Sequence, residues 1–477
     1  MTNPLAHSLG PQDEAGSGTS SALSLGLARV LRPFAKVEPQ AAVSASLLTL
    51  AVFLLLLAYY LLKTAREPLI LLHGGAEVKA YASAGQSLLL LLVIPAYAAL
   101  ARRVGRLRLL LIVYGFFALN LLVFQGLLAR GLEIGVAFYL WVGVFNNTAI
   151  AQVWSFANDL YTPEQGKRLF AILGIGSSLG AVVGAFVAKR LAGMGPPVMM
   201  LTAAVILLLC GGLVALVERV ERRERRPSEA RTALQPSAAP SAAPSAAKDA
   251  PPVTGPILHP LLHDRYLFWI ALATFLLNCV NSTGEYLLDR TLLSVLAQEG
   301  VTGKLASAAV GGFKADYFGW VNLVGVVLQL FAVSRVLALL GVRRALFVLP
   351  SVAFVSYGLM LAVPLLPLIR LGKIAENSLD YSLQNTTRQA LFLVGTRAEK
   401  YLGKTVIDTL VVRLGDVMSA LLIFGAGKLL LPTQAFALLN LGLIVCWIAV
   451  LVWLGREHAS RSRERDEAAP AAAGGGA

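Results

Sequence analysis

Apolar runs of roughly 20 residues recur along the chain, each closed by a short polar or glycine-containing turn. A helix rises 1.5 Å per residue, so about 20 residues cross the hydrocarbon of a bilayer. The pattern predicts twelve spans, at 44–72, 80–101, 108–129, 134–160, 168–190, 197–217, 266–289, 312–338, 344–363, 366–394, 404–431 and 434–455. The first exceeds what a bilayer needs, so it must tilt or protrude. Composition agrees: of 477 residues, 57% are hydrophobic and only 14% charged. An ordinary soluble domain carries about 25% charged residues, which excludes a water-soluble fold. The fold class expected is an all-α polytopic membrane protein.

The runs fall into two sets of six. Residues 1–43 are polar and small, and read as a disordered tail with no cleavable signal peptide. Spans 44–217 and 263–455 form two six-helix units around a linker over 218–262. The linker opens with the charge run Glu218–Arg226 and continues with Ala-Pro-Ser repeats over 238–247, a composition that cannot bury a core. A tail over 456–477 reads the same way. Lys and Arg crowd the segments on the side of the termini and linker, which places both termini and the linker in the cytoplasm.

The halves repeat. The turn Arg103-Val104-Gly105-Arg106 and the turn Leu340-Gly341-Val342-Arg343 hold glycines 236 residues apart, and the same offset maps Tyr81 onto Tyr317. Turns around Glu164 and Glu399 give an offset of 235. Two parallel six-helix repeats joined by a charged linker resemble the major facilitator superfamily. The basic turn after span two resembles that superfamily's signature loop, without its usual Asp.

Polar residues are unevenly spread. Span one carries Lys63, Arg66 and Glu67; span four carries Asn146, Asn147, Thr148, Gln152, Ser155, Asn158 and Asp159; span seven carries Asn278, Asn281, Ser282, Glu285 and Asp289; span ten carries Lys373, Glu376, Asp380, Gln384 and Arg388. Spans three, six, nine and twelve carry almost none. Glu376, Asp380, Gln384 and Arg388 recur every four residues and share a helix face, as do Asn281, Glu285 and Asp289, and Asn147, Ala151, Ser155 and Asp159. Charge inside a span is costly and faces a cavity or another helix, so spans one, four, seven and ten are expected to line a pathway. Plainer roles compete. Lys63 and Glu67 could neutralise each other, Asp289 could meet water at a span end, and Arg413 with Asp416 could lock the halves together. Gly176, Gly180 and Gly184 at four-residue spacing predict close helix packing. Cys210, Cys279 and Cys446 sit in apolar runs and read as small core residues. The net charge of +14 lies mostly between spans, where it sets topology, so no nucleic-acid partner is expected. The five histidines show no zinc spacing, and no cofactor or metal is expected.

Several segments resemble the ATP/ADP translocases, a nucleotide-transporter branch usually grouped with the major facilitators. They are Lys63-Thr64-Ala65-Arg66-Glu67 with Gly75-Ala76-Glu77, then Trp154-Ser155-Phe156-Ala157-Asn158 with Glu164, Lys167, Arg168 and Phe170, then Glu285, then Lys404 with Ile407-Asp408 and Leu414-Gly415. The resemblance implies that Arg66 and Glu285 serve nucleotide binding. It departs elsewhere. The family's span-four glutamate falls near Val142, and its span-eleven lysine falls on Asp416, an inverted charge that Arg413 could compensate.

The expectation is a secondary transporter working by alternating access. Its cargo would be a nucleotide or another phosphorylated organic anion, with Lys63, Arg66 and Arg388 on phosphate, Tyr60 and Trp154 stacking on a base, and Glu67 and Glu285 gating. The alternative is a proton-coupled facilitator of an unrelated metabolite or drug, with Glu285, Glu376 or Asp380 carrying the proton, since burial raises a carboxyl's proton affinity. No nucleophile–base set or phosphate loop points to an enzyme. The expected setting is a bacterial inner membrane, the expected partners are a small molecule and lipid, and the expected state is a monomer.

Overall fold

The computed structural model describes residues 39–161, 163–233, 264–394 and 403–474, with side chains over 42–161, 169–222, 264–394 and 403–463. Helix accounts for nearly all of them. In chain order these are α1 (39–74), α2 (76–101), α3 (Arg106–Ala129), α4 (Gly135–Leu160), α5 (Pro163–Leu191) and α6 (Pro196–Ala233). Then follow α7 (Arg265–Gln298), α8 (Gly303–Phe331), α9 (Val348–Ala362), α10 (366–391), α11 (404–428) and α12 (Thr433–Gly474). A short helix, Val333–Ala345, leaves α8 at 76°. Among the described residues, with 42–101 taken as one continuous segment, seven helices are long and apolar enough to cross a membrane, or eight if α8 and its bent continuation count as one span. α10 and α11 fall outside that count; they carry polar residues and are interrupted by the π-turns Asp380–Gln384 and Ile407–Val411.

α1 and α2 form a tight reversal. Gly75 has φ 73° and ψ −178°, a backbone state open to glycine and costly for residues with a Cβ. Lys79 Nζ reaches Glu67 Oε2 at 2.5 Å. Twelve residues of straight helix would rise about 18 Å, too far for that contact, so the chain doubles back at Gly75. The expected loop over 73–79 is thus mostly helix, and both groups face the interior.

The glycine stripe on α5 is a packing face, as expected. A Cβ at Gly180 would stand 2.2 Å from the Phe53 carbonyl oxygen, and one at Gly184 would stand 2.8 Å from Leu57 Cα. α1 and α5 therefore approach backbone to backbone. α7 is capped by Asp264, whose Oδ1 accepts from the amides of Tyr266 at 2.7 Å and Leu267 at 3.1 Å. α1 also packs against α4 and α6, and α3 against α6; α7 packs against α11 and α12, and α9 against α10 and α12. Contacts between these two groups run through α5 with α8, α2 with α11, and the α1–α2 pair with α7 and α8.

Several expectations change. Helix extends through the charge run to Ala233 rather than ending at 217, because Glu218 pairs with Arg222 one turn on at 3.0 Å and with Arg106 at 3.0 Å. α12 likewise runs on to Gly474, well into the expected tail. α8 starts at Gly303, nine residues before the expected span, with Thr302 at its N-cap. Cys210 and Cys279 are buried, but Cys446 is exposed on α12 and is no core residue. Tyr317 is buried whereas Tyr81 is half exposed against Phe424, so the repeat does not give the two tyrosines equivalent settings. The tail over 1–38, the Ala-Pro-Ser repeats and the turns at Glu164 and Glu399 lie outside the described residues or side chains.

Candidate functional site

A central cavity opens between α1, α2, α7, α8, α10 and α11, and borders about 910 Å³ of space free of protein atoms. α1 supplies Tyr60, Lys63, Arg66 and Glu67 to its wall, α2 supplies Lys79, and α7 supplies Asn281, Ser282, Glu285 and Asp289. α8 supplies Tyr317, Phe318 and Asn322, α10 supplies Asn377 and Tyr381, and α11 supplies Asp416 and Ser419. Among the described residues α3, α6, α9 and α12 contribute nothing to the wall, as expected from their apolar sequences.

Six charged groups on and behind this wall form one chain. Arg66 Nε lies 3.2 Å from Glu67 Oε1, and Lys79 Nζ lies 2.5 Å from Glu67 Oε2 and 2.7 Å from Asp289 Oδ2. The other Asp289 oxygen pairs with the fully buried Lys314, which lies 3.8 Å from Glu285 Oε2 and 3.8 Å from Glu67 Oε2. Three cations face three carboxylates, so the chain is neutral as a set. Isolated, each charge would pay a large desolvation cost; paired and hydrogen-bonded, they offset one another. Glu285 Oε1 also accepts from the Tyr317 hydroxyl at 2.6 Å and from Asn377 Nδ2 at 2.9 Å.

Two charged groups on the wall stand apart from that chain. Lys63 Nζ has no ion pair or hydrogen bond among the described residues. It sits 4.2 Å from the centre of the Phe318 ring and 5.3 Å from that of Tyr60, a cation–π setting that holds an ammonium without consuming its donors. Asp416 accepts from Ser282 at 3.1 Å and Ser87 at 3.0 Å, and meets Arg413 only at 3.7 Å.

The expected residues thus divide. Lys63, Arg66, Glu67, Glu285 and Asp416 line the cavity. Glu376 does not: it is buried behind the wall, bonded to Lys373 at 3.1 Å and Tyr357 at 3.2 Å. Asp380 opens a π-turn in α10 and is no wall residue, and Arg388 faces Asp408 at 3.6 Å. Arg413 leans on Asp416 from outside the wall. The polar stripe of α4 also misses the cavity. Asn147 bonds back to the Gly143 carbonyl at 2.9 Å within a π-turn, Trp154 packs edge-on against Phe170, and Asn158 is exposed. α4 reaches the wall through Tyr139, over which Arg66 stacks at 4.3 Å. The Lys63–Glu67 pair does not form, because Glu67 takes Arg66 and Lys79 instead. Asp289 does not meet water; it is buried in the ion chain. Lys79 and Lys314 were not read as site residues. Lys79 was placed in a loop, and Lys314 sits at the expected edge of a span; the charges Lys314 and Asp316 at the head of that span were the available signal.

The fold has many relatives. The nucleoside transporter NupG superposes with a TM-score of 0.62 at 11% identity, over 86% of this chain and 98% of that one. A bacterial homologue of the iron transporter ferroportin in an inward-facing state gives 0.59 at 14% identity, over 86% and 98%. A POT family transporter in complex with 5-aminolevulinic acid gives 0.58 at 11%, over 87% and 96%. At such identities the likeness concerns the fold alone. No curated protein matches the sequence. The model of the Major Facilitator Superfamily matches residues 42–396. With most of its length inside that match and a polar cavity between its two groups of helices, the chain belongs to the major facilitator superfamily, as a membrane transport protein and not an enzyme.

Proposed function

We propose that the protein is a secondary transporter of twelve spans with both termini in the cytoplasm, carrying an organic anion by alternating access. Its anionic group, a phosphate or carboxylate, rests on Lys63. One observation carries this reading: Lys63 is the cavity-lining cation with no carboxylate partner among the described residues, while the other charges on the wall are paired or hydrogen-bonded. An ammonium with free donors in a partly dehydrated cavity favours a charge-assisted bond to an anion, worth about 1.5–3 kcal/mol. Arg66 stands one turn away as a second donor, and Tyr60 and Phe318 offer ring surface beside the ammonium.

The likeness to ATP/ADP translocases makes a phosphorylated compound the first cargo to try. A nucleoside triphosphate carries several negative charges and calls for several free cations. One unpaired lysine suits a monophosphate better.

The test is uptake into proteoliposomes of labelled ATP, AMP and hexose phosphates, with and without unlabelled compound inside. Uptake of a phosphorylated compound that depends on internal exchange partner, and that Lys63→Gln weakens about tenfold or more without loss of folded protein, is the result expected. Transport unchanged by Lys63→Gln would overturn the site.

A further inference from the structure

The two groups of helices treat equivalent basic turns differently. In the first, Arg106 at the start of α3 donates to Glu218 on α6 at 3.0 Å and to the Asp159 carbonyl at 3.0 Å. Glu218 is buried, so that guanidinium is met by a carboxylate from inside the protein. The positions 237 residues further on are Arg343 and Gly455. They too face each other: a Cβ on Gly455 would stand 3.0 Å from Arg343 Cγ and 3.3 Å from its Nε. The Arg343 stem thus lies on α12 much as Arg106 reaches α6, but a glycine stands where the carboxylate would be. Arg343 is exposed, and its side chain has no ion pair or hydrogen bond among the described residues.

The surroundings of Arg343 are cationic and aromatic. Arg456, the residue after Gly455, is exposed and has its guanidinium 5.1 Å from the centre of the Trp453 ring. Trp453 is 50% exposed and stacks on Trp269 of α7, the ring centres 6.2 Å apart and the planes 11° from parallel. Phe268 packs edge-on against Trp269 and is itself exposed. The topology proposed above puts this corner at the cytoplasmic leaflet. Guanidinium groups take phosphate through paired donors, tryptophans gather where hydrocarbon gives way to headgroups, and basic sites on the cytoplasmic side bind acidic lipids. A water-soluble anion would engage the cations and leave the rings bare, whereas a lipid covers both. We infer that this corner binds one anionic glycerophospholipid, its headgroup phosphate held by Arg343 and Arg456 and its acyl chains lying on Trp453, Trp269 and Phe268. The phosphate takes the role that Glu218 fills in the other group of helices.

The test titrates the purified full-length protein in detergent with phosphatidylglycerol or with phosphatidylcholine and reads bound lipid by native mass spectrometry. The wild type should bind phosphatidylglycerol about tenfold or more tightly, the difference one charge-assisted contact makes. The double variant Arg343→Gln with Arg456→Gln should erase that preference. Gly455→Glu, which supplies the carboxylate that Arg106 already has, should erase it as well. Arg103→Gln, which removes an exposed arginine from the basic turn of the other group, should leave it intact. Both arginines of the double variant are exposed, so it should melt with the wild type in detergent alone, which separates loss of lipid from loss of fold. Equal affinity for the two lipids in the wild type, a preference that survives the double variant, or one lost equally in Arg103→Gln would overturn the site. Binding of sn-glycerol 3-phosphate that depends on Arg343 and matches phosphatidylglycerol in affinity would overturn the lipid and mark a site for a free phosphate compound.

Discussion

Lys79 Nζ lies 2.7 Å from Asp289 Oδ2, a bond between residues 210 apart in sequence that ties α2 to α7 beside the Gly75 reversal. In the alternating-access cycle proposed above, contacts between the two groups of helices must part, and this bond is one such contact. Lys79→Gln would leave Glu67 and Asp289 buried with one cation fewer. Removing one partner of a buried pair costs about 3–5 kcal/mol. Adding Asp289→Asn restores neutrality to the set, so the double variant should melt above Lys79→Gln alone. Melting temperatures that fall additively would contradict a shared network.

Glu285 distinguishes the two coupling schemes. Its Oε1 accepts from Tyr317 and Asn377, and a glutamine amide oxygen can accept both bonds. If the carboxylate is ionised throughout, Glu285→Gln should lower stability through the loss of charge opposite Lys314 and leave the pH dependence of uptake unchanged. Loss of pH-gradient dependence in that variant would make Glu285 a proton carrier.

The α1–α5 contact gives a prediction independent of cargo. A Cβ at Gly180 meets the Phe53 carbonyl oxygen at 2.2 Å, so Gly180→Ala must push the helices apart. Overpacking of this kind costs about 1–3 kcal/mol. Gly174 on the same helix has nothing within 4 Å of such a Cβ, and Gly174→Ala should be neutral or slightly stabilising by helix propensity. Thermal unfolding of the two variants side by side checks the claim, and equal melting points would refute it.

Tyr60 donates to Asn322 Oδ1 at 2.9 Å, joining α1 to α8 directly beside Lys63. Tyr60→Phe removes that bond and keeps the ring. A neutral hydrogen bond contributes about 0.5–1.5 kcal/mol to the state that makes it, so the variant should lose about that much stability and, where the bond breaks during the cycle, the transport rate should change by roughly threefold to tenfold. An unaltered uptake rate would show that this bond does not limit the cycle.

Much of the site was legible because charge is rare in apolar runs. Lys63, Arg66, Glu67 and Glu285 stand out against their neighbours, and all four line the cavity. Periodicity was less reliable. The four-residue stripe on α10 promised one face, yet Glu376 turns to Lys373 and Tyr357, and Arg388 to Asp408. The π-turn Asp380–Gln384 lies between them; it adds a residue to the turn and rotates the positions beyond it away from a strict 3.6-residue register. The π-turn Asn146–Ile150 interrupts the α4 stripe in the same way.

The sequence alone determined that the chain lives in a membrane as helices, which of them are purely apolar, and that an interior glycine stripe packs closely. Those properties follow from hydropathy, length and residue size, each readable locally. Tertiary structure decided which charges neutralise which. Lys79 meets Asp289 across 210 residues, Lys314 meets Glu67 and Glu285, and Ser87 meets Asp416 across 329. Pairing inside a low-dielectric interior depends on distances of a few ångströms between helices remote in sequence. Only after those pairs close does Lys63 stand out as the wall cation with no carboxylate partner among the described residues.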